Sequence, residues 1–225
     1  MRAQMHLDQK IAEVVSMLLW QHRAMEVRES KPFQLSSGNF APLYINCRLL
    51  ISYPSTRDII ISLARHLYHE RNITADCIAG GETAGIAFGA WLAERLDKPF
   101  VYVRKKKKEH GTGSRLEGVA QGEILLFEDL ITDGGSKISF IEGIREAGCK
   151  VSNCLVVVDR EQGGQESLAK VGVRLHSLVT ISTVLETGCA LGLLSSEARA
   201  QVKEYLADPR GWHRRKALQF NEQAE

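Results

Sequence analysis

The pattern of this chain predicts an α/β fold with a mainly parallel central sheet flanked by helices. Strand-like segments alternate with helically spaced ones from about residue 56 to 190, and such alternation builds parallel sheets with helices on both faces. The apolar runs at 124–127 and 154–158 are nearly continuous, which suits strands buried on both sides. No internal repeat interrupts the order, and 225 residues fit one domain.

Residues 8–28 carry Ile11, Val14, Val15, Leu18 and Leu19 at helical spacing and predict an amphipathic helix. In "KPFQLSSGNFAPLYINCR", the turn residues Ser36, Ser37, Gly38, Asn39 and Pro42 sit between two short strand-like pieces, so a small hairpin-like cap is expected. Residues 56–71 return to helical spacing. "DCIAG" reads as a strand ending in Gly80-Gly81, "AGIAFGAWLAERL" as a helix, and "FVYVR" and "EILLF" as strands. "SKISFIEGIREAG" is helical with Gly148 placed as its C-terminal stop, and "VSNCLVVVD" and "VRLHSLV" are two more strands. The expected division is a helix and cap over 1–50, an α/β core over 56–190, and a C-terminal helix and basic tail over 191–225. The tail, "DPRGWHRRKALQFNEQAE", reads as loosely attached or dependent on an oligomer.

Composition removes several function classes. The chain is 44% hydrophobic and 25% charged, as ordinary globular proteins are, and its net charge of +2 argues neither for nor against a nucleic-acid partner. No apolar run approaches the ~18 residues of a membrane span, and the N-terminus lacks a signal-peptide pattern. A cytoplasmic location is expected. Cysteines 47, 77, 149, 154 and 189 form no CxxC pair and no zinc spacing, which suits a reducing compartment. His66 and His69 share a helical face without a thiol or carboxylate at ligand spacing, so no protein-held metal is expected.

In open parallel sheets, ligands bind beyond the carboxyl ends of the strands, and four strand-to-helix turns here carry chemistry. In "LLFEDLITDGG" (125–135) an apolar strand ends in two acids, Glu128 and Asp129, ahead of a glycine-rich turn and a helix. Backbone amides at such a turn suit a phosphate, with Thr132 and Ser136 adding hydroxyls. Carboxylates suit a ligand's hydroxyl groups, so a sugar phosphate satisfies both halves. The spacing is neither that of a P-loop nor GxGxxG; the bland reading is a capped helix after a polar turn. "AGGETAG" (79–85) offers a second anion-type turn, in which Glu82 must face a backbone amide or a metal-bound water. "VRKKKKEHGTGSRLEG" (103–118) has five consecutive cations, His110, and glycines 111, 113 and 118 as hinges of a mobile segment; the plain alternative is a solvated basic loop. "VVVDREQGG" (156–164) ends a strand in Asp159-Arg160, either an ion pair or a ligand contact.

The first turn resembles the phosphoribosyl pyrophosphate (PRPP) signature of type I phosphoribosyltransferases. The resemblance implies that fold with a small N-terminal cap, or hood. It also implies that Glu128 and Asp129 take the ribose hydroxyls, with Leu130 and Ile131 linking them to a 5′-phosphate cradle of Thr132, Asp133, Gly134, Gly135 and Ser136. Asp133, an acid beside a phosphate, then shapes the turn. "AGGETAG" is similar to that family's pyrophosphate loop, which assigns Gly81, Glu82, Thr83 and Ala84. "RKKKKEHG" resembles the catalytic loop of orotate phosphoribosyltransferases through Arg104, Lys105, Lys108 and His110, while Lys106 and Lys107 fall outside the pattern. In that family the loop, 104–118 here, closes over the neighbouring subunit's site, which implies a homodimer. Arg160 matches the arginine that binds the orotate carboxylate, and Thr132 and Tyr44 join it. The cap matches through Ser36, Ser37, Gly38, Pro42, Tyr44 and Arg48, but Phe40, Ala41 and Asn46 stand where Lys, Ser and Asp are common.

The implied reaction is transfer of phosphoribosyl from PRPP to orotate in pyrimidine biosynthesis, with Mg²⁺ held mainly through PRPP. Glu128, Asp129, Lys105, Lys108 and His110 are the expected catalytic groups. Two other readings stay open: a transferase for a different base, and a PRPP-sensing nucleic-acid binder using "RKKKK" and "WHRRK".

Overall fold

The computed structural model describes residues 2–35, 37–107 and 114–221, and for residues 2–5 the backbone alone. Helix α1 (Arg2–Gln21) buries Ile11, Val15 and Leu19. It stops earlier than the apolar spacing suggests: Arg23 adopts a left-handed conformation (φ 52°), and Met25–Val27 then forms strand β1. The cap is two small antiparallel pairs. Strand β2 (Phe33–Gln34) pairs with β3 (Phe40–Ala41), and β1 pairs with β4 (Leu43–Ile45). A 3-10 turn, Cys47–Ser52, leads into α2 (Pro54–Glu70), which starts on a proline whose missing N–H costs nothing there.

The core then alternates as expected. Strand β5 (Cys77–Gly81) is followed by α3 (Ala84–Leu96), and β6 (Phe100–Val103) leads toward β7 (Leu116–Glu117). Strand β8 (Glu123–Ile131) precedes α4 (Gly135–Glu146), β9 (Lys150–Asp159) precedes α5 (Gly164–Lys170), and β10 (Arg174–Thr180) precedes α6 (Ile181–Ala190). The central sheet runs β10-β9-β8-β5-β6-β7, parallel except at β7, which is antiparallel to β6. Side chains alternate between two cores. Leu125, Phe127, Leu155 and Val157 join α1, α2, α3 and α6 on one face, while Ile124, Leu126, Cys154 and Val156 join α4 and α5 on the other. This double burial is why the strands read as continuous apolar runs. All five cysteines are free, and four are buried.

Two expectations need correction. Strand β8 does not stop at its apolar run or at the acids but continues through Glu128 and Asp129 to Ile131. The tail is not loose: α7 (Ser196–Ala207) and α8 (Pro209–Arg215) pack on the core, with Trp212 and His213 buried. His213 accepts the Phe40 amide at 2.9 Å through Nε2 and meets the Pro209 carbonyl at 2.7 Å through Nδ1, so both ring nitrogens are satisfied. Asn221 donates its amide to Asn39 Oδ1 (2.6 Å) and its Nδ2 to the Ser37 carbonyl (2.9 Å). The sequence hid this because its basic residues surround the two buried rings.

Candidate active site at the carboxyl ends of the strands

The three helices that follow the inner strands open without a side-chain cap: α3 at Thr83, α4 at Gly134 and α5 at Gly163. By contrast α6, α7 and α8 are capped by the side chains of Thr180, Ser195 and Asp208. Uncapped first-turn amides, carrying the positive end of the helix dipole, are an anion site. Gly134 permits the left-handed turn into α4 (φ 95°), and a Cβ there would press on Ser167. Asp133 Oδ1 accepts the Gly135 amide at 3.2 Å, so this acid does shape the turn.

Around β5 the glycines serve packing as much as ligand approach. A Cβ on Gly80 would overlap the Gly85 backbone, and one on Gly81 or Gly85 would overlap the Glu128 carboxylate. Glu128 is sunk among them, 3% exposed; its Oε1 accepts the Gly81 amide at 2.6 Å and its Oε2 lies 3.3 Å from Lys137 Nζ. Burial lifts the Glu128 carboxyl to about 7, with Lys137 opposing the rise. The Glu82 amide bonds the Val103 carbonyl and its Oε2 accepts the Lys105 amide at 2.9 Å, so of the two partners expected for this acid the structure supplies the backbone one. The Gly81 and Glu82 amides are therefore engaged internally, contrary to the simple picture of two glycine amides facing an anion. The uncapped start of α3 at Thr83 and Ala84 is what this turn offers.

These elements enclose a cleft of about 270 Å³ lined by Glu82, Thr83, Ala84, Lys105, Glu128, Asp129, Leu130 and Ser136, all expected, together with Ile45, Asn46, Arg48, Lys137 and Phe140. Asp129 is half-buried, and its Oδ1 accepts the Leu130 amide at 2.8 Å. Arg104 does not line it: its guanidinium faces Glu117 at 3.7 Å, closing the base of the 104–115 segment. Arg115 bonds the Arg104 carbonyl and Ser139, which fixes the same root. Lys107 pairs with Glu146 at 3.0 Å on the surface. Lys108 and His110 lie outside the described residues. The Ile131 side chain is buried in the core and lines neither this cleft nor the next.

On the other side of the 132–136 turn lies a second cleft of about 720 Å³. Its lining comes from the cap (Leu35, Ser37, Asn39), the turn (Thr132, Asp133), the strand end (Arg160, Gln162) and the tail (Tyr205, Phe220). Asp159 accepts the Glu161 amide at 2.8 Å, and the Arg160 side chain instead shares the cleft wall with Tyr205, to which it is electrostatically coupled. Burial lowers the Arg160 pKa while Tyr205 opposes the fall. The Arg160 Nε is buried without a partner among the described residues. Tyr44 does not reach this cleft; it packs on Phe33 at a ring distance of 5.5 Å. Sequence reasoning did not single out Lys137, Gln162 or Tyr205, which carry no signal of their own and are brought here by tertiary folding, and it read Asn39 only as a turn residue of the cap. Among the described residues no group of three or more His, Cys, Asp or Glu is placed to hold a metal.

Known proteins share this arrangement. Residues 52–178 match the phosphoribosyl transferase domain family. The chain is 39% identical over 206 residues to orotate phosphoribosyltransferase of Rhizobium etli, covering 90% of each. It is 42% identical over 212 residues to that of Cereibacter sphaeroides, covering 91% of this chain and 90% of the relative. The solved structure of orotate phosphoribosyltransferase from Aeropyrum pernix superposes with a TM-score of 0.67 at 33% identity, over 79% of this chain and 99% of that one. The Mycobacterium tuberculosis orotate phosphoribosyltransferase in complex with PRPP shares the fold, with a TM-score of 0.63 and 21% identity over 77% of this chain and 98% of that one. With relatives 39% and 42% identical across nine-tenths of its length, and with the two clefts built where its motifs fall, this chain belongs to the orotate phosphoribosyltransferase family.

Proposed function

We propose that the chain transfers the phosphoribosyl group of PRPP to orotate, giving orotidine 5′-monophosphate and pyrophosphate in pyrimidine (UMP) biosynthesis. The observation that carries this reading is the pair of clefts on either side of one uncapped helix start. One joins Asp129 to the pyrophosphate-type turn and Lys105; the other holds an arginine whose buried Nε has no partner among the described residues.

The protein's share of the chemistry is positioning and charge. The 5′-phosphate of PRPP sits on the 132–136 turn and the start of α4, and Asp129 takes ribose hydroxyls. Glu128 acts behind it: both its oxygens are engaged by Gly81 and Lys137, so it ties the pyrophosphate turn to α4. Orotate lies in the larger cleft with its carboxylate on Arg160, a planar guanidinium suited to two-point recognition. Thr132 lines the same cleft. As the bond from ribose C1 to pyrophosphate lengthens, C1 gains oxocarbenium character and orotate N1 closes from the opposite face. Holding both reactants replaces an encounter between free molecules. Lys105, with Lys108 and His110, supplies positive charge to the leaving pyrophosphate, where it is worth most in the transition state.

Mg²⁺ fits this site as a companion of PRPP. The acidic donors the cleft offers it are the second carboxylate oxygens of Asp129 and Glu82, each of which has given one oxygen to a backbone amide, whereas both Glu128 oxygens are engaged. A hard cation bound through one or two carboxylates, waters and substrate phosphates suits that supply. When bound, it neutralises pyrophosphate charge. We further propose that the protein works as a cytoplasmic homodimer without nucleic-acid or membrane partners; no helix among the described residues is long and apolar enough to cross a membrane.

The test is to mix the protein with PRPP, Mg²⁺ and orotate and follow the loss of orotate absorbance. Turnover is expected. Turnover with a purine base and none with orotate would move the assignment to another base.

A further inference from the structure

We infer that the C-terminal segment 196–221 completes the base cleft, and that Tyr205 is the positioning residue for Arg160; this rests on reading that cleft as the orotate subsite. The family match ends at residue 178, so this segment lies outside the shared phosphoribosyltransferase core. Three connections nonetheless tie it to the cleft.

The first is Tyr205 itself. It is 5% exposed on α7, and its ring stands edge-on to the buried Trp212 at 5.2 Å, which fixes where its hydroxyl points. That hydroxyl and the Arg160 side chain line the same cleft and are electrostatically coupled, Tyr205 holding the Arg160 pKa up and Arg160 holding that of Tyr205 down. A guanidinium has five N–H donors in one rigid plane. With the phenol sharing its wall of the cleft, and the buried Nε left without a partner among the described residues, the group has a neighbour to orient it and a donor still to fill. A ligand carboxylate is the acceptor that completes it.

The second connection is between α8 and the cap. His213, 1% exposed, takes the Phe40 amide, and its other nitrogen is held by Pro209. The third is Asn221, which exchanges hydrogen bonds with Asn39 (2.6 and 3.2 Å) and reaches the Ser37 carbonyl. Ser37, Asn39, Arg160, Tyr205 and Phe220 line one cavity. The tail thus orients the arginine on one wall and holds the cap residues on the other. Of the residues assigned to PRPP only Thr132 and Asp133 of the phosphate turn line this cavity, and the PRPP-side cleft shares none of its lining, so the tail's influence falls mainly on the base.

The experiment is Tyr205→Phe, which keeps the ring packing and removes the hydroxyl. KM for orotate and for PRPP, kcat and the melting temperature are measured beside the wild type, and again in an Arg160→Ala background. Loss of the polar group beside a charged one predicts roughly a tenfold rise in KM for orotate, with KM for PRPP and melting unchanged. In the Arg160→Ala background the second change should add nothing. An unchanged orotate KM overturns the role. So does a parallel rise in both KM values with a lowered melting temperature, since that is packing alone. A full effect persisting without Arg160 also overturns it. If the wild type does not turn over orotate at all, the activity itself fails, and this inference with it.

Discussion

Glu128 and Asp129 are adjacent acids with different surroundings, because successive side chains of a strand point to opposite faces. Glu128 goes inward to Gly81 and Lys137, while Asp129 stays half-buried at the cleft. A carboxyl raised from an ordinary 4.5 to about 7 by burial makes a testable mark on stability. Between those two values the unfolded chain has released a proton that the folded one still holds, so stability falls as pH rises through the window. Glu128→Gln keeps the acceptor for the Gly81 amide and abolishes the titration. The melting temperature of the wild type minus that of the variant should therefore decline from pH 4.5 to about 7 and level off above; a difference that stays flat over this range would show that the carboxyl is not raised. Lys105 is the other residue on which the reading turns. Its amide is fixed by Glu82 while its side chain lines the cleft, so Lys105→Ala should leave melting unchanged and cut kcat about a hundredfold or more. Near-wild-type kcat would remove Lys105 from the chemistry.

At the scale of elements, legibility followed length and locality. Helices α3 and α4 and the buried strands β5, β6, β8 and β9 announce themselves because their apolar spacing and glycine stops lie within one segment. Strands β1 and β4, three residues each, get their identity from pairing across the cap, and residue 25 continues a helical apolar spacing, so α1 was read too long. Helix α5, seven residues after a glycine turn, was read simply as a turn. The site divided the same way. Asp129 and the 132–136 turn stand in one stretch of chain, and Arg160 ends a recognisable strand. Lys137 gives no signal until α4 folds over β5, nor Tyr205 until the tail folds back. The tail was the largest misreading, and Trp212 measures it. This side chain is fully buried in a segment that looks solvated, so Trp212→Ala should cost about 3–5 kcal/mol of stability. Calorimetric or denaturant unfolding checks it; a loss within ~0.5 kcal/mol, typical of surface changes, would restore the picture of a loose tail.

At the scale of the whole molecule, the basic segment 104–118 can serve its own subunit, its neighbour, or both. Its root is tied to its own chain: Lys105 is held by Glu82 and lines the same cleft as Asp129, and Arg115 pins the opposite stem. The family resemblance assigns the loop to the neighbouring site. In the proposed homodimer a division would reconcile the two, with Lys105 acting within its own subunit and His110 acting across the interface. Subunit mixing separates them. Lys105→Ala and Asp129→Asn each disable the site that holds them; if Lys105 acts at home, a mixed dimer of the two contains no intact site and the mixture stays inactive. His110→Ala mixed with Asp129→Asn differs, because the subunit with intact Asp129 receives an intact His110 from its partner. Random reassortment of a two-fold dimer then predicts about a quarter of wild-type activity. Recovery in the first mixture would place Lys105 across the interface, and no recovery in the second, with reassortment verified by a tag exchange, would confine the whole loop to its own subunit.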